Sequence, residues 1–483
     1  MGQLSGRIVD LSAIELSKAI HVKEVSCVEV MNAYLDQIDR LNPKVNAIVS
    51  RVDRTNLLEQ ASKADIKLKN QQAIGWMHGF PLAPKDLTAT AGIPTVMGSP
   101  NLKNNITSHD SIVVERMKRA GAILVGKTNT PEFGLGSHTY NPVFGATSNA
   151  YDPTKVAGGS SGGTAVALAL HMLPVADGSD MGGSLRNPAA WNNIYGLRPS
   201  RGRVPFGPTA EVFYEQLGTE GPMGKNVPDL AMLLAIQSGY DKRAPLSLHD
   251  SPEIFTHSLK RDFKNSKIAW MGDLGGHLPF EAGVLELSQA ALPYFEQIGC
   301  KLEAAIPTFD FKKLWDCWLT LRAFLVAGKL NIFYSQAPMR ALMKPEAIWE
   351  VEQGQSLDPR KIYAASETRT AWAMELNRMF ETYDYLVLPT TQVFPFDISQ
   401  HWPREVGGRV MDTYHRWMEI VIGPTLAGLP AMSVPAGFSS TGLPMGLQII
   451  GKPGADFEVL QLAYAWQEAT PFKNIQSKLL QAI

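Results

Sequence analysis

Two glycine-rich segments of the chain each contain a serine, and the two serines stand 24 residues apart. The first segment reads GGSSGG over residues 158–163 and places Ser160 before an apolar, helix-forming run. The second reads GSDMGGSLRNP over residues 178–188 and places Ser184 directly after two glycines. Glycines let the backbone expose consecutive N–H groups, which can hold an oxyanion while a neighbouring hydroxyl attacks a carbonyl. The pair of segments therefore indicates acyl transfer through a serine.

The first glycine-rich segment, taken alone, has three interpretations. A phosphate-binding loop is disfavoured, because the Lys that a Walker A sequence requires before Thr164 is missing and there is no G-x-G-x-x-G spacing. A nucleophile elbow is compatible with the G-x-S-x-G pattern over residues 158–162, although no Asp or His partner stands out. An ordinary Gly/Ser turn fits as well. The segment by itself leaves the last two interpretations open.

A lysine at the end of an apolar segment supplies a candidate base. Lys85 stands in the sequence PLAPKDL over residues 81–87. A lysine amine acts as a base only when it is neutral, and burial lowers its pKa by disfavouring the charged form. The same residue is also compatible with a surface position near a turn, because buried lysines are rare.

Together these three segments resemble the amidase signature family. The likeness covers nearly the whole chain and includes VGKTN at 125–129, the block 158–199 and GLPMGLQ at 442–448. It implies an α/β fold in which one α/β/α domain, residues 1–483, holds a large mixed β-sheet covered by helices on both faces. It also implies an amidase that hydrolyses a carboxylic amide, R–CO–NHR′, to an acid and an amine or ammonia, with no cofactor.

The resemblance assigns catalytic roles to individual residues. It implies a Ser/cis-Ser/Lys triad, with Ser184 as the nucleophile, Ser160 as the bridging serine after a cis peptide bond, and Lys85 as the final base. Protons are expected to pass from Ser184 through Ser160 to Lys85, and Ser160 then protonates the leaving nitrogen. Water releases the acid from the acyl-enzyme. The oxyanion is expected to lie against the backbone N–H groups of Met181, Gly182, Gly183 and Ser184.

The residues around the triad receive supporting and binding roles. Ser161 is expected to support the site by hydrogen bonding, and Asp180 and Arg186 to form an ion pair that stabilises the nucleophile loop. Met181 stands where the family often has Thr or Ile, and this departure leaves the shape of the substrate open. Aromatic residues are candidates for an apolar pocket for the acyl group, although core packing also explains them. The candidates outside the helical insertion described below are Phe133, Tyr140, Phe144 and Trp191.

Hydrophobic spacing predicts the elements that position these residues. Intervals of three and four residues over 11–41 predict two amphipathic helices, the second capped by Ser26. Apolar runs then alternate with helical patterns, which is typical of an α/β fold. A glycine-rich loop is expected up to Ser184. Residues 309–376 are rich in Trp and Phe at helical spacing and predict a helical insertion within the single domain. Further strands are expected at 385–388, 431–434 and 447–450.

Composition narrows the class of protein. The 483 residues are 45% hydrophobic and 19% charged with a formal net charge of −1, which favours a folded protein without a nucleic-acid or membrane-binding surface. The longest mainly apolar stretch, residues 164–176, is shorter than the roughly 20 residues that cross a bilayer. The three scattered cysteines, Cys27, Cys300 and Cys317, predict no disulfide framework, and no residue cluster has the spacing of metal ligands.

The protein is therefore expected to be cytoplasmic and to be a monomer or a homodimer. Its expected partner is a small-molecule amide. The segment MGQLSG at 1–6 has the features of neither an export signal nor a myristoylation signal. Within the same class, aryl acylamides, carbamates and cyclic amides are alternative substrates. An A-type subunit of a glutamyl-tRNA amidotransferase is a further alternative, although the near-neutral charge gives it no tRNA footprint. A non-catalytic binding protein is disfavoured, because all three triad positions are filled.

Overall fold

The computed structural model describes residues 7–72 and 75–481. The N-terminal hexapeptide, on which the expectation of no export signal depends, lies outside the described residues. Within them, no helix combines the length and apolar character needed to span a membrane.

Helices and strands alternate along most of the chain. The helices are α1 (Ala13–His21), α2 (Cys27–Val45), α3 (Arg54–Lys69), α4 (Ile112–Arg119), α5 (Gly162–Ala169), α6 (Arg186–Trp191), α7 (Val227–Gln237), α8 (Val284–Ala291), α9 (Pro293–Ile298), α10 (Phe311–Tyr334), α11 (Ala337–Arg340), α12 (Pro345–Gln355), α13 (Pro359–Phe380), α14 (Ile422–Ala427), α15 (Asp456–Ala469) and α16 (Lys478–Gln481). The strands are β1 (Ile48–Val49), β2 (Pro81–Leu82), β3 (Ile123–Leu124), β4 (Lys127–Thr128), β5 (Ala176–Asp180), β6 (Tyr195–Arg198), β7 (Thr219–Gly224), β8 (Lys267–Trp270), β9 (Lys301–Ala304), β10 (Tyr385–Pro389), β11 (Glu405–Val406), β12 (Arg409–Val410), β13 (Ala431–Phe438) and β14 (Pro444–Ile450).

The two N-terminal helices begin where local capping signals place them. Ser12 and Ser26 cap α1 and α2, and each forms a capping box with the glutamate three residues later. A capping box satisfies helix N–H groups that otherwise have no partner, and a cap of this kind stabilises a helix by about 1 kcal/mol. The prediction of two amphipathic helices, the second capped by Ser26, is confirmed.

An eight-stranded mixed sheet lies at the centre of the molecule. Its strands run in the order β5-β7-β6-β13-β14-β10-β8-β9, with β10 and β9 parallel to β8 and the other neighbours antiparallel. Helices cover both faces of the sheet. The α/β fold with a large mixed sheet is therefore confirmed.

The strand β10 shows how both faces of this sheet are used. Tyr385 and Val387 point into the larger hydrophobic core, whereas Leu386 and Leu388 belong to a second cluster rich in tryptophan. Side chains alternate between the faces of a strand, so one strand contributes to both clusters. This is why β10 is apolar throughout rather than alternately polar and apolar.

Between β9 and β10 lie the four helices α10 to α13, in the part of the chain where the helical insertion is expected. The long helix α10 packs against α12 and α13. Its tryptophans Trp315 and Trp318 are buried in the second cluster, together with Leu386 and Leu388 of the sheet. The helices therefore rest on the sheet and share its core.

The sequence predicts a glycine-rich loop up to Ser184, and this prediction is wrong over 176–180, because these residues form the strand β5. This strand pairs with β7 over its full length, from Ala176 opposite Met223 to Asp180 opposite Thr219. A Cβ atom at Gly178 would lie 2.7 Å from the Ser161 hydroxyl oxygen. The glycine therefore provides room for close packing within a strand, whereas its type alone suggests a turn.

Candidate active site

A cavity of about 490 Å³ opens between the glycine-rich segments and helix α10. Ser160 and Ser184 both line it, so the fold brings the two predicted serines to one site. A volume in this range suits a small organic molecule. The apolar residues that line the cavity are Leu87, Met97, Leu102, Phe133, Leu135, Met181, Phe206, Trp318, Val326, Leu330, Phe333, Met418 and Ile422.

Lys85 is fully buried beneath this cavity. It follows β2, and backbone hydrogen bonds on either side of it, from Asp86 N–H to the Thr128 oxygen and from Thr128 N–H to the Pro84 oxygen, fix its position. Its Nζ lies 2.7 Å from Ser160 Oγ and 2.9 Å from Ser161 Oγ. The structure thus brings Lys85 into direct contact with the predicted bridging serine and the predicted supporting serine.

A further serine contacts Lys85, and sequence analysis did not single it out. Ser179 Oγ lies 3.0 Å and its carbonyl oxygen 3.3 Å from Lys85 Nζ. Ser179 also lines the cavity, one residue before Asp180 at the end of β5. The position of Ser179 beside Lys85 depends on the pairing of β5 within the sheet, and the sequence does not reveal that pairing.

The environment of Lys85 favours a neutral amine. Burial lowers the pKa of Lys85 from its ordinary 10.5 to about 7, against the opposing charges of Asp180, Asp177 and Glu220. A neutral amine has a lone pair that can accept a proton. At neutral pH Lys85 can therefore act as a base toward the hydroxyl of Ser160.

The loop of Ser160 is held by hydrogen bonds from a neighbouring segment. The Gly159–Ser160 peptide bond is cis. Ser137 Oγ donates to the Gly159 carbonyl at 2.7 Å, and Thr139 Oγ1 donates to the Gly158 carbonyl at 2.8 Å. At Gly163, which follows in α5, a Cβ atom would lie 2.3 Å from the backbone nitrogen of Asn129. Only glycine permits this close approach of the start of α5 to the backbone of Asn129.

Ser184 lies in the turn between β5 and α6 and is 8% exposed. The N–H of Ser161 donates to the Ser184 carbonyl at 3.3 Å, which joins the two glycine-rich segments. Of the four N–H groups expected to face an oxyanion, that of Gly183 donates instead to Asp180 Oδ1 at 3.0 Å. Met181, Gly182 and Ser184 line the cavity. Their N–H groups are the remaining candidates for an oxyanion hole.

Asp180 and Arg186 form a fully buried, two-point ion pair below the nucleophile turn. Arg186 Nε and Nη2 each donate to an Asp180 carboxylate oxygen at 3.0 Å. Burial opposes ionisation of Asp180, but Arg186 and Arg198 together hold the pKa of its carboxyl far below the usual range. Asp180 also accepts hydrogen bonds from the N–H groups of Gly183 and Leu185. The pair therefore fixes the backbone on both sides of Ser184.

Of the four aromatic residues predicted to form a pocket, the structure places Phe133 alone in the cavity wall. Trp191 is completely buried and stacks on Trp417 at 5.6 Å. Tyr140 stacks on His401 at 4.7 Å beside a separate, smaller pocket. Phe144 is half-buried in a turn whose carbonyl accepts a hydrogen bond from Asn46. These three side chains lie outside the lining of the main cavity.

Helix α10 belongs to the helical insertion whose aromatic residues are pocket candidates, and it supplies a wall of the cavity that includes Trp318 and Phe333. Its lining residues recur at intervals of three and four, which places them on one face of the helix. The helical spacing was a usable signal, but it does not tell which face meets the site. The lining residues of α10 are Trp318, Arg322, Val326, Lys329, Leu330 and Phe333.

One of these residues, Arg322, is held by its own partners in the wall. Its Nε donates to Glu350 Oε1 and its Nη2 to the Tyr414 hydroxyl, both at 2.6 Å. Tyr414 in turn donates to the same carboxylate oxygen at 2.6 Å. The guanidinium charge is thus neutralised within the wall, and the cavity keeps its mainly apolar character.

The site thus consists of a buried amine in contact with serine hydroxyls, under a mainly apolar cavity. The family model described as Amidase matches residues 29–460. The chain belongs to the amidase signature family, and the resemblance stated from its motifs is confirmed.

Relatives and solved structures agree over nearly the full length of the chain. The A-type subunit of glutamyl-tRNA(Gln) amidotransferase from Dehalococcoides mccartyi is 32% identical over 497 residues and covers 98% of this chain and 99% of its own. Acylamidase of Rhodococcus erythropolis is 32% identical, covering 96% of both chains. The crystal structure of a bacterial aryl acylamidase of the amidase signature family has a TM-score of 0.91 at 28% identity, covering 98% of this chain and 99% of that chain.

Proposed function

We propose that the protein hydrolyses carboxylic amides through an acyl-enzyme on Ser184, with Ser160 and Lys85 relaying protons. The observation that carries this proposal is the 2.7 Å contact between Lys85 Nζ and Ser160 Oγ, next to a cavity that Ser184 also lines. A serine, a bridging hydroxyl and a buried amine are sufficient for nucleophilic catalysis without histidine.

In the first step the neutral amine of Lys85 takes a proton from Ser160, and Ser160 takes one from Ser184. The freed Ser184 oxygen attacks the amide carbonyl and forms a tetrahedral intermediate. The N–H groups of Met181, Gly182 and Ser184 stabilise its oxyanion, and in other enzymes the loss of one such donor costs roughly 2.7–4 kcal/mol. The low-dielectric cavity strengthens these interactions.

In the second step the C–N bond breaks, and the leaving nitrogen receives a proton from Ser160. An amide anion is too basic to depart without this proton. Protonated Lys85 resupplies Ser160, so the relay returns to its starting state. Water then attacks the acyl-enzyme through the same relay and releases the acid.

The preferred substrates in this proposal have an apolar acyl or aryl group. Support comes from the cavity wall, in which aliphatic and aromatic side chains predominate and the charge of Arg322 is neutralised by Glu350. The volume of about 490 Å³ accommodates an aromatic ring together with the amide. Aryl acylamides therefore rank first, ahead of carbamates and cyclic amides.

A second candidate is an A-type subunit that releases ammonia from glutamine for a tRNA-dependent partner. The relatives of that name, at 32% identity over almost the entire chain, favour it. The two candidates differ in one measurable property. An acylamidase hydrolyses anilides as a purified single chain, whereas the amidotransferase component requires its partners and acts on glutamine. Assays of the isolated chain on anilides, primary amides, esters, carbamates and glutamine decide between them.

The nucleophile is tested with Ser184→Ala. The variant is expected to lose turnover and covalent labelling by a fluorophosphonate, with an unchanged circular dichroism spectrum. Mass mapping of the labelled wild-type protein is the matched measurement, and it should find the label on Ser184. A label on Ser160 would instead support the nucleophile-elbow interpretation and contradict this assignment.

A further inference from the structure

Glu220 is a buried acid in the cavity that the mechanism above does not use. It lies on β7 directly opposite Ser179 of β5, and it is 5% exposed. Directly opposed residues of antiparallel strands project their side chains from the same face, about 5 Å apart at Cβ. Since Ser179 Oγ contacts Lys85 Nζ, the carboxyl of Glu220 belongs to the surroundings of the base. Glu220 also lines the cavity.

Three carboxyl groups surround Lys85, and two of them are already engaged. Asp180 is bound by Arg186 and Arg198. Asp177, two residues before Ser179 on the same face of β5, accepts the backbone N–H of Lys85 at 3.3 Å. Asp177 Oδ1 and Glu220 Oε2 are both buried and have no hydrogen-bond partner among the described residues. Glu220, unlike Asp177, lines the cavity, so it is the acid near the base that has an unpartnered oxygen and also reaches the cavity wall.

The other charged groups nearby belong to a second pair. Lys127 on β4 is buried, and its Nζ donates to the Thr88 carbonyl and to Thr90 Oγ1. Its charge acts on Asp86, which also accepts the N–H groups of Val96 and Gly98. Lys127 and Asp86 are thus held by their own partners. The charges of Asp177 and Glu220 also act on Lys127 and favour its ammonium form.

A buried base that cycles through a charged form requires a counter-charge. In the proposed relay the fully buried side chain of Lys85 becomes an ammonium ion, and an unpaired buried charge is costly. We propose that Glu220 is the counter-ion of protonated Lys85: its carboxylate stabilises the ammonium form during turnover, and its position on the cavity wall lets it exchange its own proton with cavity water. This inference depends on the proposed function.

The protonation equilibria of the two groups support this pairing. Burial, together with the like charge of Asp177, raises the pKa of Glu220 to about 8. Burial lowers the pKa of Lys85 to about 7. The neutral pair, an amine beside a carboxylic acid, and the ion pair therefore lie close in free energy.

The experiment compares Glu220→Gln with the wild-type protein in two readouts. The first is the titration of Lys85, followed by NMR in protein labelled with ¹³C at the lysine ε-carbons, with Lys85→Met identifying the signal. The second is the pH dependence of kcat and kcat/KM on an anilide. Glu220 favours the ammonium form to the extent that it is ionised, and its pKa of about 8 leaves it mostly protonated near the Lys85 midpoint. The Lys85 midpoint in Glu220→Gln is therefore expected to fall by a fraction of a pH unit. The acid limb of kcat/KM should shift by the same amount, and kcat should fall.

Glu215→Gln is the matched control, because Glu215 also lines the cavity but pairs with Lys329 of α10. It is expected to leave the Lys85 midpoint in place. Glu220→Asp, which keeps the charge at a greater distance, is expected to give an intermediate midpoint, and it provides the test if Glu220→Gln does not fold. A Lys85 midpoint that is equal in the wild type and the tested Glu220 variant overturns the inference.

The NMR titration separates this inference from the proposed function. If the wild-type protein hydrolyses no amide while Glu220→Gln still shifts the Lys85 midpoint, the counter-ion pairing stands and the proposed function fails. If amides are hydrolysed and the midpoint does not move, the proposed function stands and Glu220 has a purely structural role.

Discussion

At the scale of single residues, the site depends on one amine kept out of water. Lys85 has four oxygen atoms of Ser160, Ser161 and Ser179 around its Nζ, and none of them is a carboxylate. Hydroxyl and carbonyl oxygens satisfy the donors of an amine without fixing a positive charge on it. The direct neighbours of Lys85 Nζ are thus neutral groups, and the acids Asp180, Asp177 and Glu220 act on it only through their charges. This arrangement favours the neutral amine.

This arrangement also makes Lys85 a source of instability. The pKa of Lys85 is lowered to about 7 in the folded protein and is 10.5 when the side chain is exposed. Between these values the unfolded chain binds more protons than the folded one, so the contribution of Lys85 to stability rises with pH across that window. It is least favourable at pH 7 and below.

Lys85→Met is therefore expected to be inactive but more stable than the wild type at pH 7. A buried methionine needs no deprotonation, and its volume is close to that of lysine. The gain in melting temperature should shrink as the pH rises from 7 toward 10, because the wild-type penalty disappears over that range. Thermal melts at several pH values measure this, and a gain independent of pH would contradict the assigned burial of a neutral amine.

At the scale of elements, helix α10 supplies one wall of the cavity. Trp318, Val326 and Phe333 project from one face of the helix into the site, whereas Ile332 is 63% exposed on another. In the proposed function the reacting groups of Lys85, Ser160 and Ser184 precede residue 185, and α10 contributes wall residues of its own. Part of the size selection would then be located on a different element from bond cleavage.

A bulkier side chain on the inner face of α10 should narrow the range of substrates. Val326→Phe is expected to lower kcat/KM for bulky anilides about tenfold relative to acetamide. The larger side chain would occupy space that a bulky substrate needs, which weakens transition-state binding by roughly 1–3 kcal/mol. Ile332→Phe, which introduces the same aromatic side chain on the exposed face, serves as the control and should leave the ratio unaltered. The ratio of the two kcat/KM values is the measurement. An equal loss on both substrates would indicate general damage instead of selection by size.

How far the sequence predicts the structure differs from one element to the next. The helices α1 and α2 could be predicted, because capping serines and apolar spacing are local signals. The strand β5 could not, because it is buried on both faces and contains Gly178, so it shows neither alternation nor β-branched residues. The proposed roles of Lys85, Ser160 and Ser184 follow from the family motifs. The positions of Ser179 and Glu220 depend on the register of β5 and β7, which no local pattern encodes.

At the scale of the whole molecule, a single sheet joins the parts of the chain. The larger core includes Val9 near one end of the described residues and Leu480 near the other. The second cluster, which contains the tryptophans of α10, lies on the opposite face of the same strands. Neither cluster has a complete set of strands of its own, so each depends on the sheet that they share.

The protein is consequently expected to unfold as one unit, as the prediction of a single domain over 1–483 requires. Calorimetry should show one transition, coincident with the loss of tryptophan fluorescence and of far-ultraviolet circular dichroism. Separate melting of α10 to α13 at a lower temperature would show that the helical segment is an independent domain.

The placement of α10 has a consequence for how such a protein diversifies. In the proposed function the reactive groups come from the chain before residue 185 and part of the cavity wall comes from α10. Substitutions along that helix are therefore expected to alter the accepted compound and to leave the groups that cleave it in place. Laboratory evolution toward new amides is best begun with a library confined to the inward positions of that helix.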